Sequence, residues 1–289
     1  MTARIQGGVQ PLAVGRELPS VGVITISYND RANLERTMDS VLGLTYPRLH
    51  YWVIDGASSD GTEALLETVK DPRAICIREP DSGLWEAMNK GLERATSDYV
   101  IFMNAGDCFH PACDLTRLML RVTDYRHAII GYCVKSYLDL HFLQPGISRE
   151  RKVFTGPAHQ AIFYPRGYYR DHRYLTDKRI NADGYFSLGA IAACGAEFIP
   201  EVISMFALGG RSSSYAGLKS FRDHVSDDPR MKKILQTTVK WIAWQLLPRS
   251  MFYWLLFSYK WTRLRDPYTF TLCDRILVTQ GLTKSGAAN

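Results

Sequence analysis

Four short apolar runs, each closed by a polar corner, limit what this chain can become: residues 21–27, 51–54, 74–77 and 99–103. The segments between them carry apolar residues at helical spacing, and such alternation predicts a parallel sheet with right-handed crossovers. The last unit, residues 81–107, is the most informative. It reads D-S-G-L-W-E-A-M-N-K-G, then E-R-A-T-S-D-Y-V-I-F-M, then N-A-G-D. Leu84, Ala87, Met88, Gly91, Leu92 and Ala95 recur at spacings of three and four, which predicts a helix lying on a sheet. The run 99–103 then predicts a buried strand that delivers Asp107, with Gly106 beside it, to the carboxyl edge of the sheet. Ligands bind at that edge in open α/β sheets.

The first run stops at Tyr28-Asn29-Asp30, and Leu34, Met38, Val41 and Leu42 predict a helix with Asn33 as its N-cap. The second run ends in D-G-A-S-S-D-G-T at 55–62, a turn from which Thr62 or Asp60 can cap a helix reaching Val69. Beyond Asp107 the rhythm loosens. A helix is expected at 111–122 and strands at 129–137, 138–143 and 199–208, with a loop of glycines and serines around Arg211. Two polar clusters, 156–160 and 179–185, interrupt this apolar sequence.

The 289 residues suit one or two domains. Residues 1–210 carry 22 Lys and Arg against 24 Asp and Glu, whereas 211–289 carry 13 against 5. The basic character therefore belongs to the last quarter, which reads as helical from Phe221 and interleaves Trp241, Trp244, Trp254 and Trp261 with basic residues. Its charge-free apolar runs reach about ten residues, short of the roughly 18 to 20 that cross a bilayer. Helices lying at a membrane surface are expected, the other reading being a helical layer over the sheet or a dimer contact. Basic residues set among tryptophan and leucine, without polar neighbours, argue against nucleic acid as a partner. Six cysteines without a C-x-x-C pair predict reduced thiols in a cytosolic compartment. Residues 1–19 show no apolar h-region, so a flexible tail is expected and no secretory signal.

I-T-I-S-Y-N-D (24–30), V-I-D-G-A-S-S-D-G-T (53–62), E-P-D-S-G-L-W-E-A-M-N-K-G (79–91) and F-M-N-A-G-D (102–107) together resemble the GT-A glycosyltransferases of family 2, bacterial polysaccharide branch. Order and spacing match over about 20–110, and weaker marks, H-Q at 159, A-D at 182 and G-G at 209, continue to about 215. The resemblance implies an α/β GT-A fold with a mixed Rossmann-like sheet over 20–215 and a helical extension over 216–289.

It also implies roles. Ser27, Tyr28 and Asp55 would hold the base and ribose of a nucleoside-diphosphate-sugar donor, uracil and guanine both being able to donate to Asp55. Asp81, Gly83 and Asn89 would line the path of ribose and sugar, and Arg211 would close over the diphosphate. Asp107 would bind a divalent cation, Mg²⁺ or Mn²⁺, on the donor diphosphate. Gly106 stands where many members have a second aspartate, so most of the metal's ligands would come from the nucleotide. Asp183 would be the general base of an inverting transfer to a saccharide hydroxyl, with His159 on the leaving-group side. The residues alone also allow Asp107 and Asp183 to be helix caps and His159 a packed histidine. The expected enzyme works at the cytoplasmic face of a bacterial membrane on an acceptor carried by a polyprenyl diphosphate. The alternative is a degenerate GT-A protein that binds nucleotide or saccharide without catalysis. A nucleotidyltransferase is disfavoured, because Tyr28-Asn29-Asp30 is not a basic glycine-rich loop.

Overall fold

The computed structural model describes residues 17–138, 140–145, 156–209, 215, 217–227 and 230–261. The chain begins with β1 (Val21–Ser27), α1 (Arg31–Leu42), β2 (Leu49–Asp55), α2 (Thr62–Glu67), β3 (Ala74–Arg78), α3 (Leu84–Arg94) and β4 (Tyr99–Phe102). Along β1 the side chains alternate between two apolar layers: Val21 and Val23 pack with Leu34, Met38 and Val41 of α1, Ile24 and Ile26 with Met88 and Leu92 of α3. A strand buried on both faces is what a parallel sheet between helices requires. β1, β2, β3 and β4 are indeed mutually parallel, in the order β3-β2-β1-β4.

The second half is built differently. β5 (Cys108–Phe109), α4 (Leu115–Leu120), β6 (Ala128–Tyr137), β7 (Leu140–Gln144), β8 (Ile162–Pro165), α5 (Arg166–Tyr169), α6 (Ala182–Cys194) and β9 (Ala196–Ala207) follow. β8 runs antiparallel to β4 and joins a mixed half, β8-β6-β9-β5, with β7 also on β6. The expected mixed α/β sheet is thus present, and its seam lies between β4 and β8. Residues of both halves meet there.

Several local expectations are corrected. α1 starts at Arg31 with Asp30 in the N-cap position, and Asn33 instead donates to the Asp30 carboxylate at 2.9 Å. Asp60 serves two helix starts: it accepts Arg31 N–H at 2.8 Å and the Thr62 hydroxyl at 2.6 Å. α2 stops at Glu67, before Val69. On α3 the inward residue of the first turn is Trp85, stacked on Tyr174, whereas Leu84 is exposed. The helix expected at 111–122 is only α4, and Asp114 caps it by accepting Arg117 N–H at 2.9 Å. Asp107 is therefore not its cap.

α7 (Gly217–Asp227), α8 (Met231–Leu246) and α9 (Arg249–Trp261) form the expected helical extension. Tyr215, Trp244, Phe252 and Tyr253 make an apolar cluster that takes in Phe142 of β7. Among the described residues no helix is long and apolar enough to cross a membrane. Cys76, Cys108, Cys113, Cys133 and Cys194 are free thiols, while Cys273 lies outside the described residues.

Candidate active site

The ends of β1 and β2 are in register, Ser27 opposite Asp55, so two of the expected donor-binding residues are neighbours by construction. Asp55 is fully buried. One of its oxygens accepts the Ser58 hydroxyl at 2.5 Å and the other the Ser58 N–H at 2.9 Å, with the Arg78 guanidinium at 3.6 Å. The Ser27 hydroxyl is buried without a hydrogen-bond partner. Tyr28 is exposed beside Gly56, and a Cβ at Gly56 would come within 2.5 Å of an Asp81 oxygen and 3.1 Å of the Tyr28 ring. Only glycine lets these two approach. Asp81 accepts Gly83 N–H at 2.9 Å. Burial pushes its pKa up, aided by the charges of Glu86 and Asp55 and opposed by Gly83 N–H and Lys90.

β4 ends in the acidic corner, residues 104–107. Gly106 has φ +97°, a conformation other residues resist. Thr37 of α1 clamps the corner, accepting Gly106 N–H at 3.0 Å and donating to the Asp107 carbonyl at 2.8 Å. The Asp107 carboxylate is buried and, among the described residues, accepts from Asn104 N–H and the Gln160 amide, both at 3.2 Å. Burial raises its pKa to about 6 against the pull of His159, Gln160 and Asn104. A cation would reverse that shift. Among the described residues no three His, Cys, Asp or Glu side chains gather as a metal cage. The corner offers the Asp107 carboxylate and the buried Asn104 Oδ1, which has no hydrogen-bond partner. These hard oxygens fit Mg²⁺ or Mn²⁺ whose other ligands are diphosphate oxygens and water.

Facing this corner is a cleft of about 520 Å³ whose walls include Asp107, His159 and Asp183. His159 opens a short 3-10 turn before β8, and Asp183 lies in the first turn of α6. His159 Nδ1 is 3.1 Å from Asp183 Oδ2, and Nε2 is buried without a partner. Burial works against ionisation of Asp183, but the hydrogen bond and charge of His159 outweigh it and hold its pKa below the ordinary value. Asp183 also accepts Gly184 N–H, at 2.8 Å. The α6 start is itself held from the extension: Asp227 of α7 accepts the N–H groups of Arg179, Ile180 and Asn181 at 2.8, 2.6 and 2.8 Å.

Participants not anticipated include Thr37, Asn104, Asp227 and Lys135. Lys135 on β6 lines the cleft; burial lowers its pKa while the charges of Asp183 and Asp107 oppose the shift. A lone lysine in the apolar strand A-I-I-G-Y-C-V-K-S-Y, where the structure leaves it half-buried, was the available signal, since lysines are seldom drawn inward unless paired. Asn89 is placed differently from expectation. Its amide donates to the Tyr174 carbonyl at 3.0 Å and accepts Tyr174 N–H at 2.7 Å, so both ends are occupied by protein backbone and not turned to a donor. Arg211 lies outside the described residues.

A family model of glycosyl transferase family 2 matches residues 22–190. An uncharacterised glycosyltransferase of Mycobacterium tuberculosis is 41% identical over 92 residues, 32% of this chain and 35% of that protein. TuaG of Bacillus subtilis, whose name assigns it to teichuronic acid biosynthesis, is 39% identical over 92 residues, 31% of this chain and 36% of that one. The chain thus spans about a third of the length of these curated relatives. Among solved structures, the mannosyltransferase PcManGT of Pyrobaculum calidifontis, in complex with GDP-Man and Mn²⁺, superposes with TM-score 0.53 at 22% identity, covering 94% of this chain and 90% of that one. S. aureus TarS with UDP-GlcNAc gives 0.54 at 13% identity, covering 77% and 71%. At such identities the likeness is one of fold.

Proposed function

The chain belongs to glycosyl transferase family 2, and we infer that it moves a sugar from a nucleoside diphosphate to a saccharide hydroxyl with inversion at the anomeric carbon. The observation that carries this reading is that Asp183 and Asp107 line one cleft. A carboxylate of depressed pKa on one wall can take a proton, and oxygens suited to a cation lie on the other. In the inferred step Asp183 accepts the acceptor hydroxyl's proton while that oxygen bonds to the anomeric carbon. The bond from that carbon to the diphosphate breaks, and the diphosphate leaves with the electron pair. His159 fixes the orientation of Asp183, and Lys135 offsets the negative charge gathering in the cleft. A bound divalent cation, held by Asp107 and Asn104, would supply further charge neutralisation at the diphosphate. Ser27, Tyr28, Asp55, Asp81 and Gly83 would receive the nucleoside.

The acceptor is inferred to be a growing bacterial surface polysaccharide or glycolipid, a reading that the name of TuaG supports. Association with the cytoplasmic face of the membrane is supported by α8, where Met231, Leu235, Val239, Ile242 and Leu246 form an exposed apolar stripe, and by exposed Trp254 and Leu255 on α9. The alternative, binding without catalysis, draws on Gly106 in place of a second acidic ligand.

The deciding experiment incubates the purified chain with UDP-, GDP-, dTDP- and CMP-sugars, with and without Mn²⁺, reading nucleotide release and thermal unfolding. One nucleotide should stabilise the protein in a cation-dependent way, by about 2.7 kcal/mol at 100 times its Kd, and its sugar should be released with inverted configuration by NMR. Stabilisation without any release would favour the binding protein. Neither effect with any donor would remove the enzymatic reading.

A further inference from the structure

α6 separates two cavities. On one side is the cleft with Asp183; on the other, between α6 and α8, is a groove of about 350 Å³, and Gly184 lines both. A Cβ at Gly184 would meet nothing within 4 Å, so there is open space beside the residue that both cavities share.

The groove has a built character. Lys233, Gln236, Thr237 and Lys240 line it from a single face of α8, as spacings of three, four and seven demand at about 3.6 residues per turn. Two ammonium groups, an amide and a hydroxyl thus point into one space. Tyr185 and Tyr215 contribute aromatic wall, and the Lys240 ammonium lies 5.9 Å above the Tyr215 ring. No Asp or Glu stands among the described residues that line the groove. Arg230 also lines the groove beside these two lysines; like charges brought to one groove repel each other, and burial together with Lys233 pushes the Lys240 pKa down. Such an arrangement is relieved by an anion. The wall opposite is rigid, because the start of α6 is held by Asp227 from α7.

Resting on the transferase reading above, we propose that this groove is a subsite for the phosphate or diphosphate of the acceptor, with Lys233 and Lys240 as its cations and Gly184 as the route to Asp183. A phosphate-bearing acceptor seated there extends its sugar past Gly184 into the cleft, where its hydroxyl meets the base. The exposed apolar stripe of α8, from Met231 to Leu246, lies across the helix from Lys233 and Lys240, so the groove and the stripe are separate surfaces of one helix.

The test measures binding of dodecyl diphosphate by calorimetry, with the cleft filled by saturating nucleotide. Lys233→Ala and Lys240→Gln should each weaken binding roughly ten- to a hundredfold, the worth of a hydrogen bond to a charged group. Lys233→Arg should restore most of it. Lys232→Ala, on exposed surface outside the groove, should leave it intact. Unchanged binding in both groove variants would overturn the proposal. So would equal affinity of the wild type for dodecyl glucoside, which lacks the phosphate. A loss confined to phosphatidylglycerol vesicles, with dodecyl diphosphate unaffected, would overturn it in favour of a headgroup contact. Donor turnover by the wild-type protein is measured separately. Its absence would count against the transferase reading while leaving the anion-binding result interpretable.

Discussion

Asp55 closes β2 and Asp107 stands in the corner that follows β4 in the same parallel half; both are buried and both adjoin a glycine, yet they are differently supplied with hydrogen bonds. Asp55 takes two hydrogen bonds from Ser58, with Arg78 near. Asp107 takes two long ones from neutral amides and has its pKa raised to about 6. A carboxylate supplied with donors shapes its own loop; one starved of them is held ready for something the protein does not provide. The difference separates the corner that organises the nucleotide end of the site from the corner that awaits charge. Asp183 makes a third case, stabilised as an anion by His159 and still open to the cleft.

The largest effect is expected at Asp183. Asp183→Asn should lower kcat by about 10²- to 10⁴-fold while leaving nucleotide affinity near the wild-type value; a wild-type rate would remove Asp183 as the base. The same substitution made at the other two aspartates should then act with opposite signs on stability. The Asp107 carboxyl has a folded pKa of about 6, above its unfolded value of about 3.9. Ionising it therefore costs stability as pH rises from about 4 to 6, and the full cost, about 2 to 3 kcal/mol, applies above that. Asp107→Asn should stabilise the ligand-free protein by about that amount at pH 8 in urea unfolding, with the gain fading below about pH 4, and should weaken cation-dependent donor binding. Asp55→Asn should instead destabilise by roughly 1.5 to 3 kcal/mol, because charge-assisted bonds to Ser58 are lost and an amide replaces an anion beside Arg78. Shifts of the same sign at both positions would break the comparison.

The parallel half was legible because its chemistry is local. Each carboxylate follows a short apolar run and adjoins a glycine, Asp55 before Gly56 and Asp107 after Gly106, so strand, edge and turn are written within a few residues. The aspartate–histidine pair was reachable only through family order, since 24 residues separate its members. Thr37 and Asp227 could not be read, because their partners lie 69 and some 46 to 48 positions away, and neither residue type announces a contact of that kind. Helical spacing puts Leu84 on the inward face, where the structure has Trp85 instead. A helix beginning on an exposed turn leaves its first residue in solvent and brings the second inward, where the indole finds Tyr174.

Asn89 sharpens the contrast at the smallest scale. It sits on the motif helix, and the family resemblance assigns it to the donor, yet its amide bridges both backbone groups of Tyr174 across 85 residues. That clamp holds the segment whose ring stacks on Trp85, at the wall of the cleft. Asn89→Ala leaves a backbone N–H and a carbonyl without their partner, a loss of about 1 to 2 kcal/mol in urea unfolding. If Asn89 is only this clamp, the KM for the donor should stay within about twofold of wild type, and Asn89→Asp, which keeps the acceptor for Tyr174 N–H, should recover part of the stability. A donor KM raised tenfold with stability unchanged would return Asn89 to the donor path and show that a residue can serve the nucleotide corner through a backbone contact made elsewhere.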